Sequence, residues 1–414
     1  MTAGPQPRHR LYTAPAHYLA LLGAVPSAPF HSAAVAELEE QLGRTLGVEY
    51  AITMPMARTG IYFALRSLIR PGQRVVLAPY TISEVVNMVL CAGGVPVFAD
   101  IERRTCNIDA AEVERLLDGD TGAVLATHFY GLACDISRIR DLCRARGVAL
   151  VEDAAQAFGT TVEGRAVGTF GDAGVYSFGL YKNVTTFLGG AVVAHDKPLA
   201  DVIRAGAVRL PAESFLRLAQ RALAGLVTDV ATHRMLFPRF TYPILRALSL
   251  RRRDYIARGM AIDTHPVRRT QMPERYLHRM RPFQARLARR QLGHVQAHAD
   301  ERVRAARAYH EGLQDIPELV LPPMRSDGSH TYQYYAVQAD DRVALVRHVL
   351  QRGRDIAVSH HKNCAEMECF AEFRRSCPNA TLAAKSVIYL PTYPGYGLRE
   401  VDRTVAAIRS YYGR

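Results

Sequence analysis

The chain has 414 residues, 49% hydrophobic and 22% charged, which suits a packed protein of two domains and excludes wholesale disorder. No run of eighteen apolar residues occurs, so a membrane-spanning helix is not expected. The opening MTAGPQPRHRLY lacks the apolar centre of a signal peptide, and seven cysteines without a C-x-x-C pair favour a reducing cytoplasm.

Strands and helices alternate from residue 32 onward. SAAVAELEEQLGRTLG (32–47) has apolar residues at helical spacing, with Gly47 as a stop. EYAITMP (49–55) reads as a strand, TGIYFALRSL (59–68) as a helix, and RVVLAPY (74–80) as a strand. SEVVNMVLCAG (83–93) is a helix, VPVFADI (95–101) a strand, AAEVERLL (110–117) a helix and GAVLATHFY (122–130) a strand. SRIRDLCRARG (137–147) is a helix, VALVEDAAQ (148–156) a strand with a loop, and TTFLGGAVVAHD (185–196) a turn and a strand. Nearly continuous apolar strands with short, Gly-marked connections predict a mainly parallel sheet covered by helices on both faces. Ligands on such sheets sit beyond the carboxyl ends of the strands, which singles out the polar residues just past each strand. Residues 282–313 read as one long helix, and about 318–414 as a smaller α+β domain.

Charge is unevenly spread. The net is +13, and only four cations are lysines: Lys182, Lys197, Lys362 and Lys385. Between Arg204 and Arg253 ten arginines face only Glu213 and Asp229. Such a balance points to phosphates on nucleic acid, on a membrane surface or on an anionic substrate. Zinc-finger spacing, an aromatic RNA-binding signature and a basic zipper are all missing, so nucleic acid is not an expected partner.

Asp153 closes a buried strand in LVEDAAQ, Ser177 lies in VYSFGLYKN, and Lys182 follows with Gly189-Gly190 just beyond. A buried carboxylate is costly unless partnered. One partner is the pyridinium nitrogen of pyridoxal phosphate, whose protonation makes the ring an electron sink. A lysine 29 residues further on, beside the same sheet edge, can hold that cofactor covalently. A hydroxyl and helix N-terminal amides can hold its phosphate. Taken singly, the Asp is a common cap, the Lys a solvated charge and the Ser uninformative. The ordered set Asp…Gln…Ser…Lys is far more specific.

In these stretches the chain resembles the DegT/DnrJ/EryC1/StrS family of fold-type-I, pyridoxal-phosphate-dependent sugar aminotransferases. The resemblance rests on VEDAAQAFG (151–159), GDAGVYSFGLYKNVTTFLGGAVV (171–193), PVFADIERRTCNID (96–109) and THFYG (127–131), and more weakly on PFQARLARRQL (282–292) and YLPTYPGYG (389–397). It implies an α/β fold with a large, mainly parallel-sheet cofactor domain (1–203), a basic, partly apolar insertion (204–275), and a long helix with a small C-terminal α+β domain (276–414). It also implies that Lys182 holds the cofactor and moves the substrate proton. Asp153 then faces the pyridinium, Gln156 the phenolic oxygen, and Ser177, Arg58 and Thr59 the phosphate. Ile82 stands where the family usually stacks an aromatic ring, and Leu277-His278-Arg279-Met280 lacks the family's Asn from the partner subunit. The expected activity is transfer of an amino group from glutamate or glutamine to a ketone, most plainly a keto sugar nucleotide, in a homodimer. A non-catalytic relative that binds the cofactor is the alternative.

Tyr80, His128, His330 and His360 are the candidate substrate residues. Cys364, Cys369 and Cys377 near His360 and His361 fit no standard zinc spacing, so no metal is expected. RMLFPRFTYPILRALSLRRR (234–253) alternates apolar residues with arginine. It reads as a helical flap with a solvated basic face, or as a peripheral contact of 204–253 with an anionic membrane that would bring a lipid-linked or hydrophobic acceptor.

Overall fold

The computed structural model describes residues 4–13, 15–22, 33–251 and 265–414. Arg252 and Arg253 of the basic run lie outside the described residues. In chain order the first part comprises α1 (Pro15–Leu22), α2 (Ala33–Leu46), β1 (Tyr50–Met54), α3 (Ala57–Leu68), β2 (Arg74–Leu77), β3 (Tyr80–Thr81), α4 (Ser83–Cys91) and β4 (Val95–Phe98). It continues through α5 (Ala110–Leu116), β5 (Thr121–Thr127), α6 (Ile136–Arg146), β6 (Ala149–Asp153), the hairpin β7 (Thr161–Val162) and β8 (Arg165–Ala166), β9 (Ala173–Ser177), β10 (Gly190–Ala194) and α7 (Lys197–Val208).

Seven strands form the central sheet in the order β1-β10-β9-β6-β5-β2-β4, and β10 alone runs antiparallel to its neighbours. Val75, Val76, Leu77, Ala123, Val124, Leu125, Leu150 and Val151 are buried, as strands covered on both faces require. Each such Val or Leu contributes about 1.5–3 kcal/mol on leaving water. Asp109 and Asp135 cap α5 and α6 by accepting from the amides of Ala111 and Arg138, and Gly147 ends α6 in the left-handed region. The expected α/β architecture with a mainly parallel sheet is what the chain adopts.

Among the described residues there follow α8 (Phe215–Ala231), α9 (Tyr242–Arg251), α10 (Pro282–Leu292) and α11 (Val295–Leu313), with short helical turns at Phe237–Thr241 and Glu274–Tyr276. The small domain adds β11 (Leu319–Val320), β12 (Tyr335–Ala339), α12 (Arg342–Gln351), β13 (Ala357–Val358), β14 (Lys362–Asn363), α13 (Pro378–Ser386), β15 (Val387–Leu390) and α14 (Leu398–Arg409). Its antiparallel sheet has the order β11-β12-β15-β13.

Two expected element boundaries need correction. The single helix 282–313 is two helices, parted at Gly293-His294. The break serves two cores: α10 buries Phe283, Ala285 and Leu287 against the large domain, while α11 buries Ala305, Ala306, Tyr309 and Leu313 in the small one. The strand expected over 74–80 stops at Leu77; Tyr80–Thr81 instead pairs with Lys362–Asn363 and ties the domains together. The boundary at 203/204 falls inside α7, which buries Leu199, Ala200 and Ile203 and runs to Val208. Among the described residues no helix is long and apolar enough to cross a membrane.

Candidate active site

The strand directions bring the chemistry to one edge. β1, β9, β6, β5 and β2 all end there, because β1 and β9 each run opposite to β10 and are therefore parallel to one another. Asp153 ends β6 between Thr127 of β5 and Val175 of β9, and Ser177 ends β9 opposite Gly190. Lys182 sits in the turn after β9, its amide donating to the Gly179 carbonyl at 3.1 Å. The first turn of α3, directly after β1, supplies Arg58 and Thr59.

Asp153 is 6% exposed and accepts from the Ala155 amide at 3.0 Å. Burial pushes its carboxyl up, against that bond and the charge of Lys182. Burial also lowers the Lys182 ammonium to about 8; Asp153 opposes this and Arg58 adds to it. The two groups therefore sense each other's charge at this edge. Lys182, Ser177, Gln156 and Arg58 are half-buried and Asp153 is buried, all at or just past the carboxyl ends of these strands.

Arg58 donates to the Tyr276 hydroxyl at 2.9 Å and lies over the Tyr276 ring, 5.0 Å from its centre. Thr59 is fully buried, and its hydroxyl donates to the Tyr276 carbonyl at 2.8 Å. α3 has no side-chain cap at Met56, which leaves its first amides for a ligand. A side chain at Gly190 would stand 2.8 Å from the Ala57 nitrogen, so glycine keeps this cradle open. A buried carboxylate, a lysine of lowered pKa, an arginine and an uncapped helix start fit pyridoxal phosphate: acid for the ring nitrogen, amine for the aldehyde, cation and amides for the phosphate.

Gln156 accepts from the Tyr130 amide at 3.1 Å, and its Nε2 lies 3.4 Å from Nε2 of His361. His361 Nδ1 lies 2.9 Å from the Tyr389 hydroxyl. Burial, with His360 and Lys182 nearby, holds the His361 imidazole well below its ordinary pKa, so it is neutral. Ile82 is half-buried at the start of α4 and packs against the large core.

Three expected substrate residues are enclosed instead. Tyr80 is 0% exposed, and its hydroxyl lies 2.8 Å from those of both Tyr130 and Ser359. His128 is also fully buried: its Nδ1 accepts from the Cys134 amide at 3.2 Å, and its Nε2 lies 3.0 Å from Glu152. Glu152 further accepts from the amides of Gly168, Phe170 and Gly171, so the pair holds a loop. His330 is 2% exposed and stacks on Tyr332 with ring centres 3.5 Å apart. These side chains support the walls. His360 remains half-buried, its ring 4.2 Å from that of His361.

Sequence reasoning missed His9. It is 8% exposed, its ring centre lies 5.2 Å from that of Tyr181, and its Nε2 is buried without a hydrogen-bond partner among the described residues. Burial, then the charge of Lys182, lowers its pKa to about 4. Anchors flank it: Arg8 Nε donates to Asp355 at 2.8 Å, and Tyr12 receives a bond from Arg302 at 2.8 Å. Arg302 also donates to Asn183, next to Lys182, at 2.9 Å. The sequence carried no signal for His9, a lone histidine in an irregular stretch. His361 stands out in the sequence only as one of the pair His360-His361.

The sequence model of the DegT/DnrJ/EryC1/StrS aminotransferase family matches residues 30–217 and 257–409. The spore coat polysaccharide biosynthesis protein SpsC of Bacillus subtilis is 28% identical over 91% of this chain and 88% of its own. GDP-perosamine synthase of Caulobacter vibrioides is 25% identical over 90% and 89% respectively. Among solved structures, that of NtdA from Bacillus subtilis with bound cofactor PMP superposes with a TM-score of 0.72 at 19% identity, covering 96% of this chain and 82% of that one.

Proposed function

The chain belongs to the DegT/DnrJ/EryC1/StrS family of pyridoxal-phosphate-dependent aminotransferases, and from that premise we propose that it moves an amino group from glutamate or glutamine to a keto sugar nucleotide. The observation that carries this reading is the placement of buried Asp153 at the end of β6 and of Lys182 in the turn after β9, both at the carboxyl edge of the sheet. When bound, pyridoxal phosphate supplies the electron sink for removing a proton from the carbon that bears nitrogen. Asp153 would keep a proton on its ring nitrogen, and Lys182 would carry the substrate proton. Arg58, Ser177 and the first amides of α3 would hold its phosphate, and Gln156 would face its phenolic oxygen. Ile82, at the start of α4, would cover one face of the ring.

The acceptor class draws support from the relative named for GDP-perosamine, a nucleotide-linked product. His9 and His361 are assigned to the substrate side, because a neutral imidazole can hydrogen-bond a sugar hydroxyl. A homodimer is part of the proposal, following the family resemblance. The test is a panel of keto sugar nucleotides with glutamate. Conversion of ketone to amine, followed by mass spectrometry, is the expected result. Turnover of glutamate with simple keto acids alone would remove the sugar assignment.

A further inference from the structure

Outside the catalytic edge, α8 is apolar on two sides. Leu218, Ala222 and Gly225 face inward, packing with Phe187, Leu180 and Phe283 around the turn that carries Lys182. The opposite stripe, at helical spacing, holds Leu216, Leu223, Val227 and Val230, which are 67%, 61%, 59% and 51% exposed. Phe240 and Ile244, each 61% exposed, continue the apolar surface into the next turn and α9. Eleven of the eighteen large hydrophobic side chains found exposed among the described residues fall between Phe215 and Leu248.

The charge beside this stripe has one sign. Arg221, Arg234, Arg239, Arg246 and Arg251 are exposed. Both acids of the segment turn inward: Glu213 is 1% exposed and pairs with Arg217, and Asp229 accepts from the Tyr18 hydroxyl at 2.5 Å and from Thr13. A protein partner of ordinary composition would not require every outward charge to be positive. A bilayer with anionic headgroups does: leucines and phenylalanine enter the acyl boundary while arginines reach phosphates along their apolar stems.

We propose that the outer face of α8 and α9 docks this enzyme on an anionic lipid surface. None of the described helices is long and apolar enough to cross the bilayer, and the inner face of α8 lies against the lysine turn, so docking holds the catalytic edge next to the membrane. The proposal stands apart from the choice of acceptor.

The test uses the cofactor-loaded full chain with vesicles of phosphatidylcholine alone and of phosphatidylcholine mixed with phosphatidylglycerol. Co-sedimentation is expected only with the mixed vesicles, weakening as salt rises. Leu223→Glu/Val227→Glu, and separately Arg221→Ala/Arg234→Ala/Arg246→Ala, should each lower bound protein about tenfold or more. Both variants should keep the wild-type mass in solution and the wild-type response of the cofactor spectrum to glutamate. Failure of the wild type to bind the mixed vesicles overturns the proposal, as does binding by the variants equal to wild type. A smaller assembly in the Leu223→Glu/Val227→Glu variant would assign the face to a second copy of the chain. Loss of the glutamate response in the wild type would instead count against the aminotransferase reading, leaving the vesicle result to stand alone.

Discussion

The carboxyl edge of the large sheet and the outer face of α8 treat charge in opposite ways. At the edge, charges are enclosed and matched: Glu152 takes four hydrogen bonds at 0% exposure, and Asp153 sits within reach of the Lys182 charge. On α8 and α9 the arginines stand in solvent beside leucines. Desolvation makes each charge at the edge strong and fixed in place, which chemistry needs. Solvated cations next to apolar side chains suit a soft surface that is met and left. Net charge therefore says little until it is divided by burial, since the most basic part of this chain is not its reactive part.

Substitutions at the edge should break the contrast most. Asp153→Asn keeps shape and cofactor but removes the negative partner of the ring nitrogen, and kcat should fall about a hundredfold or more with the fold intact by circular dichroism. An unchanged kcat would show that the buried carboxylate is structural. The lowered pKa of Lys182 predicts how apoenzyme takes up pyridoxal phosphate. A free amine is required, so the rate should rise with pH to a plateau past an apparent midpoint near 8 and drop about tenfold per unit below it. Removing the positive charge in Arg58→Ala should move that midpoint up, because Arg58 helps to depress it. A rate that still climbs beyond pH 10 would mean the lysine is not desolvated. The smallest effect belongs to His9→Ala. Losing one hydrogen bond to substrate should raise KM about tenfold and leave kcat near wild type. If kcat falls instead and KM is unchanged, His9 acts on the lysine and not on substrate.

Much of the edge was legible because its elements are local. An acid ending a buried strand, a serine ending the next and a lysine in the following turn lie within thirty residues, and the alternation around them dictates a parallel sheet. What was hidden depends on distant pairing. Tyr80–Thr81 and Lys362–Asn363 are two-residue strands with no periodic signal, yet their pairing carries Ser359 and His361 to the site. His9 arrives through Arg8–Asp355 and Tyr12–Arg302, contacts about three hundred residues apart that a one-dimensional reading cannot see. Tyr80 and His128 are polar residues just past strands. The same position that brings a residue to a site also brings it into the packing under that site. The break at Gly293 leaves no mark in the sequence because α10 and α11 share one helical pattern, and only their separate cores reveal two elements.

The most direct test of the central claim is the absorbance spectrum of purified protein loaded with pyridoxal phosphate, before and after L-glutamate, with Lys182→Ala alongside. The wild type should show the visible band of the lysine-bound cofactor and lose it to a near-ultraviolet band when glutamate is added. Lys182→Ala should lack the lysine-dependent band and fail to turn over. A wild-type spectrum that neither glutamate nor glutamine alters, or a Lys182→Ala protein that matches wild type, would contradict the account.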